Sequence, residues 1–594
     1  DESTQIGLLD LLSEKADEGA LEVLGALSDP KKPSLALAAV RAASRLSPEV
    51  TADFLKEIYE KYDDPEIKAH AVIGLYPHES EKCKGIIDSW LSSSEVSEKR
   101  AGIIAAGGSR NREYIERLKG FLGENENERV IAEAIHALYL LEAPDINGLL
   151  GPYLKSPSDH VRRVALEAIE VSDENAMRSV ILLLGEKRPE LQDLAKERLL
   201  DAPYQNPEIL IESLALPKRR IREAIFTLLE SLEIKDVDVY HFARSQFERA
   251  YGNLAEAEAL SALPESKDKE LLSDHLMQKK RERLDTVLRV LTTQDSSGRI
   301  RIIWRGLYAA DSRQRSNALE ALETSVGRPL AQIMIPLLED YSISLCLSEA
   351  KKFFELPHFD SNPGTLVNHL LSKYDWVTVV LTLNLMGKEG TDGIDSEILD
   401  GLLVSENKYV RQTAQGIAPV KEGDFSTKET DMDQEISMPD KILHLRGIQI
   451  FESLSVTELA AIASVSEEVV CPEGEMVIKE GEQGDTMYMV LSGEVSVNKG
   501  TEEGHMIELD RIGGGDYFGE MALFKDQVRT ATIRTEEEAT LLVLHKREFT
   551  EIVREYPQIA LSICQVLGQR ILTLHEKIKS YEKDSEENSC AADL

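Results

Sequence analysis

The chain has 594 residues, and its 68 Lys and Arg against 106 Asp and Glu give a formal net charge of −38. That length exceeds what one hydrophobic core serves, so several domains or an extended repeat array are expected. The acidic field repels nucleic acid and anionic membrane surfaces at long range, and an apolar content of 42% excludes disorder as the source of the acidity.

The five cysteines, Cys83, Cys346, Cys471, Cys564 and Cys590, are far apart and odd in number, with no Cys-x-x-Cys or Cys/His cluster. Neither a disulfide framework nor a zinc site is expected, and a reducing cytoplasmic setting is the default. The strongest apolar run, Trp376–Met386, falls well short of the roughly twenty residues that span a bilayer. No signal peptide opens the chain. It begins at Asp1 without a Met, which is compatible with its being part of a longer polypeptide.

Residues 1–234 read as helical repeats. An Ala recurs in comparable amphipathic contexts at Ala39, Ala71, Ala101, Ala134, Ala165, Ala195 and Ala224, with spacings of 32, 30, 33, 31, 30 and 29 residues. The local words agree: Ala71-Val72-Ile73-Gly74-Leu75, Ala134-Ile135-His136-Ala137-Leu138 and Ala165-Leu166-Glu167-Ala168-Ile169. A period near 31 with two helices per unit implies an α-solenoid, in which small Ala residues let helices approach and flanking Leu, Ile and Val bury against the next unit. These words resemble HEAT repeats.

Residues 235–420 read as further helical repeats, but irregular. Phe242–Asn253 and Glu270–Thr293 have the pattern of longer helices. The basic run Lys279-Lys280-Arg281-Glu282-Arg283 raises the thought of a phosphate site; the acidic residues alternating around it favour a solvated helix face. Repeat-like phrasing returns at Ser316–Leu322 and Tyr409–Ile417. Residues 421–440 are charged and poor in apolar residues, the composition of an acidic linker. Residues 441–583 form a final domain, and 584–594 a polar tail expected to be disordered.

Within that domain, short β-favouring runs recur at Met476–Lys479, Met487–Leu491, Glu494–Asn498, His505–Arg511, Thr530–Thr535 and Thr540–His545, punctuated by Gly and Asp. The expected fold is therefore mainly α: a HEAT-like α-solenoid followed by a small β-roll of jelly-roll type with flanking helices. The chain lacks Gly-x-Ser-x-Gly, His-Glu-x-x-His and Gly-x-x-x-x-Gly-Lys-(Ser/Thr), and its twelve His are scattered. No catalytic or metal site is expected, and no cofactor.

Residues 518–533, Phe-Gly-Glu-Met-Ala-Leu-Phe-Lys-Asp-Gln-Val-Arg-Thr-Ala-Thr-Ile, resemble the phosphate-binding cassette of cyclic nucleotide-binding domains. Phe518, Gly519, Glu520, Ala522, Leu523, Arg529, Ala531 and Thr532 fall on the family pattern. The resemblance implies a cyclic purine mononucleotide, cAMP or cGMP, as ligand. It gives Gly519, Glu520, Met521 and Ala522 the ribose and phosphate, through backbone N–H groups and the Glu carboxylate, and gives Arg529 the cyclic phosphate. Both suit an anion: N–H groups at a helix opening point outward, and Arg carries a planar charged fork. Thr530 would bond the phosphate or a guanine amino group. Val477, Met489 and Leu491 would wall the base or simply pack the core, and residues 563–579, with Val566, Leu567, Arg570, Ile571 and Leu574, would form a lid, a dimer seam, or both.

Arg301–Leu322 further resembles the soluble region of large bacterial proteins in which a membrane domain related to nucleotide translocases precedes HEAT repeats and a cyclic nucleotide-binding domain. That resemblance implies a regulatory part at the cytosolic face of a membrane protein. The expectation is a non-enzymatic sensor, with a protein partner on the solenoid or a linked membrane domain, and with homo-oligomerisation open. Nucleic acid is not an expected partner. The alternative is a scaffold whose nucleotide-binding domain is structural and silent.

Overall fold

The computed structural model describes residues 19–28, 32–46, 48–123, 126–216, 218–232, 238–309, 311–339, 341–359, 363–373, 375–389, 393–418, 436–500, 505–525 and 528–569, with 571, 572 and 575. The chain divides into two compact units, Asp1–Ile234 and Lys235–Leu594.

In the first unit, helices Pro33–Ser44, Pro65–Leu75, Val96–Gly108, Glu128–Leu140, Asp159–Ala168, Pro189–Leu200 and Arg219–Ser231 form a row in which each packs on the next. Helices such as Pro48–Lys61, Ser80–Leu91 and Glu174–Leu183 alternate with them and pack on their chain neighbours. Each of the seven recurring alanines lies in one helix of the row, and all seven are buried. Gly107 shows why small residues are required: a Cβ there would sit 2.7 Å from the Ala137 Cα of the next helix in the row. Starts are set locally. Pro65 takes the first helical position, and the Asp64 carboxylate accepts the N–H groups of Glu66 (2.8 Å) and Ile67 (3.2 Å).

The second unit opens with a hairpin of two long helices, Val239–Leu260 and Lys267–Gln294. Both exceed the expected Phe242–Asn253 and Glu270–Thr293, because Asp238 and Ser266 cap their starts well upstream of the apolar pattern. The apolar run at 376–386 forms a buried helix, Trp376–Glu389, against the second of them. No described helix is long and apolar enough to cross a membrane.

The C-terminal part is a roll of two four-stranded antiparallel sheets. The strands are β1 Glu467–Cys471, β2 Met476–Ile478, β3 Thr486–Ser492, β4 Glu494–Gly500, β5 Met506–Gly513, β6 Tyr517–Phe518, β7 Thr532–Thr535 and β8 Ala539–His545. One sheet has the order β1-β8-β3-β6 and the other β2-β7-β4-β5. The chain steps between sheets at Gly493, where φ is +82° and a Cβ would lie 2.5 Å from the Glu538 carbonyl oxygen. Cys471, Ile478, Val490, Val495, Phe518, Ile533 and Leu541 fill the space between the sheets. All six expected β-runs are strands. Two more went unread: the two-residue β6, and β1, whose Glu467, Val469 and Val470 are exposed and whose pairing with β8 carries no alternating signature.

The expected division at 421–440 changes in two ways. Residues 419–435 lie outside the described residues, but the linker's end is helical: Ser437 caps Met438–Gly447, and Met438, Ile442 and Leu445 bury one stripe of it. The boundary set at 441 therefore falls inside a helix whose charged neighbours hid its apolar face. Nor are 235–420 and the roll separate bodies. One apolar cluster runs from Leu260 and Leu276 through Val380 and Leu385 to Ile442, Phe451, Leu459 and Leu544.

Candidate functional site

The cassette is built where the 481–485 loop meets the end of the 519–529 segment. Gly481 N–H donates to the Arg529 carbonyl (2.9 Å), and Arg529 N–H donates to the Glu482 carbonyl (2.8 Å). This ladder turns the Arg529 side chain inward. There Nη2 donates to Thr486 Oγ1 (2.7 Å) and Nη1 to the Gly519 carbonyl (3.3 Å).

Two glycines leave the slot open. A Cβ on Gly484 would lie 2.0 Å from Arg529 Nε, and one on Gly519, whose φ is +77°, would lie 2.8 Å from Nη1. Burial pushes the guanidinium pKa down, opposed by Tyr488 and Asp485. The group keeps its charge, because a guanidinium starts far above neutrality. It is a half-buried cation with no carboxylate within ion-pair distance among the described residues. Such a group is suited to an anion presenting two oxygens.

Phe518 is buried and stacks on Tyr488 with centroids 5.1 Å apart and planes 9° apart, which fixes the entry to Gly519. Glu520 then starts the short helix Met521–Phe524; Ala522 and Leu523 N–H groups return to the Gly519 and Glu520 carbonyls. The Glu520 and Met521 N–H groups precede any intrahelical acceptor. Ala522 is buried, Glu520 is half-buried, and the Met521 side chain is exposed, so only its backbone belongs to the site. Thr530 is exposed beside Arg529, and Lys499 Nζ donates to its carbonyl (3.4 Å). Ala531 is half-buried at the entry to β7.

Of the three residues expected to wall the base or pack the core, Met489 and Leu491 pack the core. Val477 is half-buried and packs against the inter-sheet cluster beside the buried Ile478. Met489 and Leu491 belong to the other cluster, with Leu542, Leu544 and Ile552 on the helix-covered face of the sheet. Successive β-residues face opposite ways, so the interior residues of β3 are Tyr488 and Val490. Counting from one fixed interior residue such as Phe518, which pairs with Tyr488, would have found them. Thr486 and Gly484 were missed too, because a hydroxyl in a strand and a glycine in a turn carry no signal of a guanidinium. Arg570 and Leu574 lie outside the described residues. Residues 557–569 are helical, with Ile563 buried and Val566 and Leu567 half-buried; Ile571 is 66% exposed.

Residues 468–556 match the family model of the cyclic nucleotide-binding domain. A CRP-like cAMP-activated global transcriptional regulator of Mycobacterium tuberculosis is 29% identical over 132 residues, 22% of this chain and 58% of that protein. A cAMP-dependent protein kinase regulatory subunit of Blastocladiella emersonii is 33% identical over 109 residues, 18% of this chain and 27% of that one. The human cGMP-dependent protein kinase 2 is 32% identical over 117 residues, 19% of this chain and 15% of the kinase. The chain thus spans 58% or less of the length of these relatives, and the likeness is that of one domain. Its C-terminal roll is a cyclic nucleotide-binding domain.

Proposed function

We propose that the chain is a non-enzymatic regulatory module in which a cyclic purine mononucleotide, bound in the C-terminal roll, biases the packing of a HEAT-like helical scaffold. One observation carries the reading: the Arg529 guanidinium sits half-buried in a slot cleared by Gly484 and Gly519, held among the described residues by two neutral oxygens. An arriving phosphate supplies the missing charge, Glu520 takes the ribose hydroxyl, and Tyr488 and Val490 flank the roll interior. Relatives named for cAMP and for cGMP both occur, which supports the ligand class without choosing the base. The scaffold reads the site through contacts of the roll's leading helices: Gln278 Oε1 accepts the Val456 N–H (2.7 Å), Arg446 pairs with Asp274 (2.5 Å), and the Tyr409 hydroxyl donates to the Ser464 carbonyl.

A structural, silent domain is the second reading, and the continuous apolar core favours it, since the roll's helices seal the end of the array. Calorimetric titration with cAMP and with cGMP separates the two. The sensor reading expects a dissociation constant near micromolar for at least one, about −8 kcal/mol. No heat with either at millimolar concentration removes it in favour of the scaffold.

A further inference from the structure

The basic run of the Lys267–Gln294 helix divides once folded. Lys279 reaches Asp375 (3.4 Å) and Glu282 (3.9 Å), and Arg283 donates to Asn253 Oδ1 and Gln246 Oε1, both at 3.3 Å. Lys280 and Arg281 instead face a cavity of about 660 Å³, a volume typical of small-molecule sites. Met277, Lys280, Arg281 and Leu284 follow the i, i+3, i+4, i+7 spacing of a single helix face. Ser312, Arg315, Ser316 and Leu319 repeat that spacing on the Ser312–Val326 helix and line the same cavity.

A stripe at this spacing normally buries apolar side chains against its neighbour. Here the two stripes carry three cations and two hydroxyls above Leu284 and Leu319, with Leu307 and Leu337 completing an aliphatic lining. Burial and the like charge of Arg281 push the Lys280 pKa down. No carboxylate lies within ion-pair distance of Lys280 among the described residues. The nearby Asp285 is engaged by the Tyr308 hydroxyl (2.5 Å). Among the described residues Glu339 is the one carboxylate that lines the cavity; the Tyr341 side chain engages it, and its Oε2 is buried without a hydrogen-bond partner. Lys280 is half-buried beside this aliphatic lining, while Arg281, Ser312 and Ser316 are exposed at the cavity's mouth; a partly desolvated cation is stabilised when an anion joins it.

We propose that this cavity is a second ligand site, taking a small amphipathic organic anion whose phosphate or carboxylate lies between Lys280 and Arg281, with Arg315 on the facing wall and its apolar body on the leucines. The site is separate from the roll and does not depend on cyclic nucleotide binding there.

Calorimetry with octyl phosphate, inorganic phosphate and octanol on the full chain tests it. The expected result is 1:1 binding of octyl phosphate, with inorganic phosphate and octanol each at least about tenfold weaker, because head and body are both required. The double variant Lys280→Gln/Arg281→Gln should lose at least about tenfold and keep its circular dichroism. Ser316→Phe, which fills the cavity without touching a charge, should lose as much. Glu339→Gln removes the opposing carboxylate and should tighten binding a few-fold. Sedimentation with phosphatidic acid vesicles sorts the source: vesicle binding that octyl phosphate competes away assigns a lipid headgroup, and no sedimentation assigns a free metabolite. Octanol binding as well as octyl phosphate, no octyl phosphate binding at millimolar concentration, or unchanged affinity in both variants would overturn the proposal.

Discussion

The two units are held together on different length scales. In the first, side-chain hydrogen bonds that leave their own helix reach about one repeat along the chain: Arg100 to Glu133 spans 33 residues, Arg117 to Asp88 29, Arg198 to Glu167 31 and Arg178 to Glu212 34. In the second, bonds of that length, such as Arg283 to Asn253 at 30, are joined by others that span far more: Tyr251 to Ile333 82, His275 to Asp375 100, Lys373 to Glu256 117, Arg446 to Asp274 172 and Val456 to Gln278 178. A structure of nearest-neighbour contacts takes damage locally, whereas one tied by long-range contacts responds as a whole. A ligand signal can therefore spread through the second unit, while the first is a ruler of nearly independent pieces.

The largest test of that contrast is Asp375. Burial opposes its charge, but the His275 Nε2–H bond and the charges of His275 and Lys279 outweigh it and hold the carboxyl well below the usual carboxylate range. Its folded pKa being depressed, its stabilisation is full above the unfolded value of about 4 and fades as pH falls below it. Asp375→Ala should cost on the order of 3 kcal/mol, since it takes the carboxylate from a buried His that keeps only the Thr378 hydroxyl on Nε2 and from a Lys that keeps only Glu282. Chemical denaturation should show the helical part of the second unit and the roll lost together. A roll that keeps its own transition in this variant would break the contrast.

His70 is the counterpart in the first unit. Burial, with Arg41 and Arg45, pushes its imidazole down to about 3 from 6.5. The unfolded chain takes up the proton first, so stability should fall as pH drops from about 6.5 toward 3, by on the order of 3 kcal/mol. Trp90 fluorescence in a Trp304→Phe/Trp376→Phe background reports this unit alone. Acid loss should begin there near pH 6, well before the Asp375 region, and His70→Gln should flatten the slope. Loss that begins in both units at the same pH would contradict it.

Within the roll, Arg529→Ala should weaken cyclic nucleotide binding by about 2–3 kcal/mol and barely move the melting temperature, because the guanidinium is held by neutral oxygens. Thr486→Val should cost less, about 1 kcal/mol, since it only releases the fork from one partner. Equal losses in the two variants, measured by calorimetry, would mean that Thr486 touches ligand itself.

Much of this was legible in the sequence, for reasons that differ by region. The alanine period marks the rows because each helix of the first unit meets the same neighbour geometry, and the cassette is contiguous, so Phe518, Gly519 and Arg529 announce themselves together. What stayed hidden is whatever depends on distant chain. Met489 and Leu491 differ from Tyr488 and Val490 only by the face of a strand, and every one of the four is apolar or aromatic. Lys280 looks solvated until the Ser312–Val326 helix is placed opposite it, whereas Arg281 is exposed as its neighbours suggest. The helix at 438–447 is masked by acidic neighbours, and its Arg446 meets Asp274 and Glu270, more than 170 residues away.

Hydrogen exchange on the full chain, with and without a saturating cyclic nucleotide, tests the central claim most directly. Slower exchange is predicted at 519–524 and 529–532, where the ligand sits, together with altered exchange in 456–465 and in the 267–294 helix, and no change in 33–231. Changes confined to the roll would show that the helical array does not read the site, and no change at 519–532 would show that the slot around Arg529 is not where a cyclic nucleotide binds.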